Sequence, residues 1–183
     1  MSEAKGVSGW AKARVAIKNI FSSGINREMV DFSVEKEPFE LTHGDTLAYA
    51  LACNDNNPAY FEKDGGLAPP LFVSRVFMVV AEGILLHPKL KLNVLKMVHA
   101  EQSIEFIKPL RVGMQIVPRA RIAAVREASS GEMVDVEIEC LHQGEAVVRG
   151  VATMFVRGKK KGGKKGGASG EEPVFEAADT FSV

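Results

Sequence analysis

The residues best suited to chemistry lie within seven consecutive positions, Asn54-Asp55-Asn56-Asn57-Pro58-Ala59-Tyr60. A carboxylate, an Asn-Pro step and a phenol this close together suit a rigid turn that aims side chains into a pocket. A carboxylate can take part in proton exchange. A phenol can donate a proton or hold a water, but with an ordinary pKa near ~10 it is a poor base at neutral pH. The plainer reading is loop capping, since Asp and Asn bond to nearby backbone without any catalysis. On that reading Asp55 and Asn57 stabilise the turn and Tyr60 is a pocket wall or an interface residue. His99, two residues before Glu101, is either a source of imidazole or a satisfied strand histidine. His43, His87 and His142 fall at a helix start, a loop and a turn, and are expected on the surface.

These residues need a frame, and the hydrophobic pattern supplies one. Phe32, Val34, Phe39 and Leu41 read as extended chain. Thr42-His43-Gly44-Asp45 reads as a helix start, with the Thr42 hydroxyl capping and Asp45 three residues on. A short helix over 46–53 is expected to turn Leu47, Ala50 and Leu51 inward. Residues 54–64 are loop, and a Gly-Pro turn, Gly65-Gly66-Leu67-Ala68-Pro69-Pro70, leads into a second helix with Pro70 in its first turn. That helix reaches about Leu86 and is apolar almost all round, so it is expected to be buried inside something larger. The wrapper follows as four strands, 98–106, 115–126, 133–143 and 145–156, with hairpin turns at Gly131 and Gln143-Gly144. One early strand, helices, then a run of antiparallel strands gives an α+β class.

Composition excludes several functions. The chain has 183 residues, 46% apolar and 25% charged, with a formal net charge of zero. That supports one domain with a real core and gives no reason to expect a nucleic-acid partner. Cys53 and Cys140 do not make a disulfide framework and are expected to be reduced core thiols of a cytoplasmic protein. No Cys-His spacing suggests a metal site, and no metal or redox cofactor is expected. The apolar stretch of 67–86 is too interrupted for a membrane span. Residues 1–27 read as an N-terminal extension, with Trp10, Ala13, Ile17, Ile20 and Phe21 on one helical face; a membrane-surface helix is the alternative, and no membrane partner is expected. Residues 28–157 form the domain, 158–170 a Gly/Lys linker, and 171–183 an acidic tail that is a docking peptide or a disordered end.

Three ordered motifs carry a resemblance. Tyr49 to Glu62, with Asn54-Asp55-Asn56-Asn57-Pro58 at its centre, resembles the hydratase motif of MaoC-like proteins, the (R)-specific enoyl-thioester hydratases and 3-hydroxyacyl dehydratases. Gly66-Leu67-Ala68-Pro69-Pro70-Leu71-Phe72 is similar to the turn into their central helix. Val98 to Phe106, with Lys108-Pro109-Leu110 and Val112-Gly113, is similar to the strand and turn after it. The match runs from about Phe32 to Val156.

The resemblance implies a hot-dog fold, an antiparallel sheet wrapped around a long central helix, paired side by side with a second hot-dog as a homodimer or heterodimer. It implies reversible hydration of an enoyl thioester carried on coenzyme A or acyl carrier protein. In active members an Asp and a His position one water and exchange protons with it and the substrate. By position Asp55 is that Asp and Asn57-Pro58 its turn, but the His position holds Tyr60. A His-Gly pair usually precedes the central helix, where a backbone N–H meets the thioester oxygen. Here Pro69 and Pro70 stand there without an N–H, leaving the amides of Leu71 and Phe72. His99 is a further substrate-side candidate. Lys108 and Arg111 could meet phosphates of the carrier arm, although loop cations are commonly just solvated. Both departures point to a subunit that binds the acyl group while its mate does the chemistry. A self-sufficient hydratase using Asp55 and Tyr60, and a scaffolding module without chemistry, are the alternatives.

Overall fold

The computed structural model describes residues 24–158. The expected N-terminal helix, most of the linker and the acidic tail lie outside the described residues. Elements follow in the order β1 (Ser33–Glu35), β2 (Phe39–Glu40), α1 (His43–Ala52), α2 (Val73–Leu85), β3 (Met97–Phe106), β4 (Gln115–Ala128), β5 (Gly131–His142) and β6 (Glu145–Arg157). A 3-10 turn, Pro70–Phe72, runs straight into α2. The strands form one antiparallel sheet in the order β1-β4-β5-β6-β3, with β2 also paired to β4. The α+β hot-dog expectation holds.

Each local choice has a visible cause. Thr42 caps α1 by accepting from the Asp45 N–H, and its hydroxyl donates back to the Asp45 carboxylate. The helix therefore starts at His43, three residues earlier than the hydrophobic pattern suggests. Gln143 and Gly144 both have positive φ, 52° and 82°, the two-residue turn whose twist matches the strands it joins. Gly131 is not in its turn. It is the first residue of β5, where an added Cβ would stand 2.1 Å from the Val156 carbonyl oxygen.

The core lies between α2 and the sheet. Val73, Val76, Phe77, Val80, Ala81, Ile84 and Leu85 form the buried face of α2, packed on β4, β1 and β5. Phe77 reaches β6 because Gly150 there has no side chain: a Cβ would come within 2.6 Å of the ring. Burying one such aromatic contributes about 2–3 kcal/mol.

Three expectations about burial fail. The apolar helix is not wrapped all round: Leu71 is 61% exposed, Met78 52% and Val79 56%. The sheet covers one side of α2 only, and these residues share the opposite stripe with Arg75. Leu51 is also 61% exposed, since α1 turns Thr46 and Ala50 inward and Leu51 lies one step round the helix. Of the two thiols, Cys140 is buried but Cys53 is exposed at the end of α1.

The outer sheet face is charge-sorted by strand. One row runs Glu35, Arg119, Glu139, Arg149, Glu105 across β1, β4, β5, β6 and β3. Arg119 pairs with Glu35 at 2.8 Å and Arg149 with Glu139 at 3.0 Å. Arg121 joins Asp31 and Glu137, and Arg126 forks onto Asp135. A trough of about 1100 Å³ lies over Glu35, Arg119, Arg121, Glu137, Glu139 and Arg149. The pairs of Arg119, Arg121 and Arg149 are largely exposed and stabilise only weakly, whereas Asp135 beneath Arg126 is only 15% exposed.

Candidate functional site

The motif loop is built at the C-terminus of α1. Asn54 takes the left-handed conformation, φ 54°, which reverses the chain, and the Asp55 N–H returns to the Ala50 carbonyl at 2.9 Å. Asp55 Oδ1 then accepts from the Asn57 N–H at 3.2 Å, and Asn57 Oδ1 accepts from the Ala59 N–H at 3.1 Å. Two successive side-chain caps therefore fold the loop into the short 3-10 turn Pro58–Tyr60. Asp55 is half-buried, Asn57 exposed, and Tyr60 buried at 8%. Both polar side chains do structural work in this loop, and Tyr60 is the residue it turns inward.

A strap ties this loop to the start of α2. The Leu67 N–H donates to Ala59 O at 3.0 Å, Ala68 N–H to Leu110 O at 2.9 Å, and Val112 N–H to Gly66 O at 2.9 Å. Arg111 Nη1 donates to Gly65 O at 2.8 Å. Gly66 is pressed against the chain it follows: an added Cβ would stand 2.2 Å from the Glu62 carbonyl oxygen. Motif loop, strap and helix start are one hydrogen-bonded unit. Sequence reasoning missed Arg111 as its clasp; only the Gly65-Gly66 pair signalled the close approach.

At the helix start Pro69 is buried and Pro70 exposed. The Phe72 N–H is already used, donating to Pro69 O at 2.9 Å. That removes Phe72 as an oxyanion donor and leaves the Leu71 N–H, the first amide of this turn, as the one its hydrogen-bond pattern does not need. Phe72 serves another purpose. Its ring meets Tyr49 edge-on at 5.6 Å between centroids and carries the Arg75 guanidinium at 5.5 Å. Arg75 also lies 4.0 Å from Asp45 on α1. These contacts lock the two helices together beside the loop. The Tyr49 hydroxyl is pushed up from its ordinary pKa, first by burial and then by its neighbour Cys53.

The remaining candidates separate from this centre. His99 is exposed on β3, opposite Met154 and next to a bulge, with β6 between its strand and those under α2. Lys108 is paired with Glu145 at 2.6 Å, and Arg111 is the strap's clasp, so both loop cations have partners within the chain. His43 is only partly exposed, and its Nδ1 is buried without a hydrogen-bond partner. His87 stacks on Phe32 at 4.6 Å while accepting from the Lys89 N–H, and His142 meets Gln115 O at 2.9 Å. No described helix is long and apolar enough to cross a membrane.

Comparison with known proteins identifies the fold and the family. The chain is 31% identical over 149 residues to the UPF0336 protein of Thermobifida fusca, covering 76% of this chain and 98% of that one. It is 25% identical to the Streptomyces avermitilis UPF0336 protein over 135 residues, 69% of this chain and 90% of that one. Among solved structures, the HadBC (3R-hydroxyacyl-ACP dehydratase) complex of Mycobacterium tuberculosis superposes with a TM-score of 0.61 at 22% identity, over 69% of this chain and 96% of the other. The (R)-hydratase of A. caviae gives 0.54 at 17% identity, over 69% and 96%. At such identities the likeness is one of fold. The family described as FAS1-like, dehydratase domain region, matches residues 28–150. The chain therefore belongs to that dehydratase-region family, and its fold is the hot-dog of the MaoC-like proteins.

Proposed function

We propose that this chain is the acyl-binding hot-dog subunit of a cytoplasmic hydratase or dehydratase that interconverts a trans-2-enoyl thioester and its 3-hydroxyacyl thioester. The carrier is coenzyme A or acyl carrier protein, with no further cofactor. A partner hot-dog supplies the complete Asp-His pair. One observation carries the reading: in the loop that resembles a hydratase motif, the residue turned inward is Tyr60, and Asp55 already caps its own turn. The exposed stripe of Leu71, Met78 and Val79 offers an acyl chain an apolar bed next to the Leu71 N–H. The HadBC complex, whose name describes an acyl-ACP dehydratase built from two kinds of subunit, supports the division of labour.

The test is hydration of crotonyl-CoA by the purified chain alone, followed as loss of enoyl-thioester absorbance. Asp55→Asn is a better control than alanine, because the amide oxygen still accepts from Asn57 and the loop survives. Thioester binding without turnover is the expected result. Turnover that disappears in Asp55→Asn would mean that Asp55 and Tyr60 suffice and would overturn the partner reading.

A further inference from the structure

A charge interrupts the apolar stripe that offers itself as an acyl bed. Leu71, Arg75, Met78 and Val79 fall at helical spacing on one face of the 3-10 turn and α2. The Arg75 side chain is 61% exposed, so a guanidinium stands between Leu71 and the Met78-Val79 pair.

This arginine is held in place without being used up. The Phe72 ring lies 5.5 Å from its guanidinium, and Asp45 on α1 comes no nearer than 4.0 Å. Neither contact is a hydrogen bond, and the guanidinium makes none with the described residues. Arg111, Arg119, Arg121, Arg126 and Arg149 differ, because each gives donors to oxygens of the chain. The fork of N–H donors on Arg75 therefore stays open toward the bed.

Its distance from the candidate thioester site is short. Residue 75 lies about one helical turn beyond the Leu71 N–H, ~6 Å along the axis. A plain alkyl tail that crosses this position covers the guanidinium and takes away its water without replacing it, which is unfavourable. A tail that ends there in a carboxylate offers two oxygens to the fork, in parallel charge-assisted hydrogen bonds. The stacked Phe72 ring keeps the fork oriented, so little freedom is lost on binding.

We propose that Arg75 is a specificity residue that selects short acyl thioesters with a terminal carboxylate, the half-thioesters of dicarboxylic acids. The apolar part of such an acyl group lies on Leu71 and its carboxylate meets Arg75. This rests on the acyl-binding reading above and names its substrate class.

Calorimetric titration of the full-length chain with glutaryl-CoA and pentanoyl-CoA tests it, since these ligands differ only in a carboxylate exchanged for a terminal methyl. Wild type should bind glutaryl-CoA roughly tenfold or more tightly, the change expected of a charge-assisted pair. Arg75→Met keeps an apolar stem and should abolish that preference, while binding pentanoyl-CoA more tightly than wild type does. Arg75→Lys retains the charge without the fork and should show an intermediate preference. The readout is the ratio between two ligands on one variant, which lost packing against Phe72 would not move because it weakens both alike. Equal binding of the two ligands by wild type, or a preference that survives in Arg75→Met, would overturn the proposal. Failure of the acyl-binding reading looks different: neither ligand binds, and the proposal goes with it.

Discussion

The strap between motif loop and central helix contains two adjacent glycines that answer to different physics, and alanine replacements separate them. Gly65 has φ +67°, yet nothing lies within 4 Å of where its Cβ would be. Gly65→Ala should cost only the strain of a left-handed alanine, about 1 kcal/mol. Gly66 has no such φ, but its added Cβ would sit 2.2 Å from Glu62 O, 3.0 Å from Glu62 C and 3.1 Å from Glu62 Cβ. Two of those atoms are backbone, so the loop itself must move by about 1 Å. Overpacking of that kind costs about 1–3 kcal/mol, and losing the Val112 N–H to Gly66 O bond adds about 1. Gly66→Ala should therefore lose about 2–4 kcal/mol, or roughly 4–16 °C in Tm for a chain of this size. Gly65→Ala should lose about 2–4 °C. Thermal melts by circular dichroism give the ranking, and hydrogen exchange at 59–68 should rise in Gly66→Ala alone. A Gly65→Ala loss equal to or greater than that of Gly66→Ala would refute the crowding argument.

Four further outcomes are expected. Asp135, 15% exposed, is held below the usual carboxylate range by its Arg126 fork and by Thr153, against an opposing effect of burial. The stability it adds is present above the unfolded pKa of about 4 and lost as pH falls through the lower folded value. Asp135→Asn should thus cost about 1–2 kcal/mol at neutral pH, and its Tm should converge on wild type below about pH 4. Burial pushes the Cys140 thiol up to about 12. The unfolded chain releases that proton first, so stability should fall as pH rises above about 9, and a Cys140→Ala variant should lack this alkaline loss. In native protein a thiol reagent should titrate Cys53 alone, with Cys140 appearing on denaturation. Tyr60→His should confer crotonyl-CoA hydration on the lone chain, a rise of about 10²-fold or more over wild type; an unchanged rate would show that the missing imidazole is not the reason for inactivity.

Much of the fold was legible because it rests on local signals. Alternation over 133–143 and 145–156, the Gln143-Gly144 turn and the Thr42 cap each act over a few residues, and each is found close to where the pattern puts it. What the sequence could not carry is which faces meet. A helix apolar all round reads as buried, and nothing in 70–86 tells Met78 and Val79 from Phe77 and Val80 until the sheet is laid on one side. Site chemistry divides likewise. The capping behaviour of Asp55 and Asn57 follows from residue type, but the Arg111 clasp spans 46 positions and leaves no local trace. Nor does the loss of the Phe72 amide, which depends on a 3-10 turn rather than an α-helical one.

The placement of α2 sets a timetable for synthesis. Its last residue is Leu85, while β6, which closes the sheet, ends at Arg157, 72 residues later. At about 5–20 residues per second the helix emerges some 4–14 s before its floor is complete. Until β4 and β5 are made within that interval, Val73, Phe77, Val80 and Ile84 lack the strands that cover them. The nascent chain passes through a period in which its most apolar segment is bare. Slowing translation between the codons for residues 86 and 115 should lower the soluble yield, whereas slowing it after 157 should not.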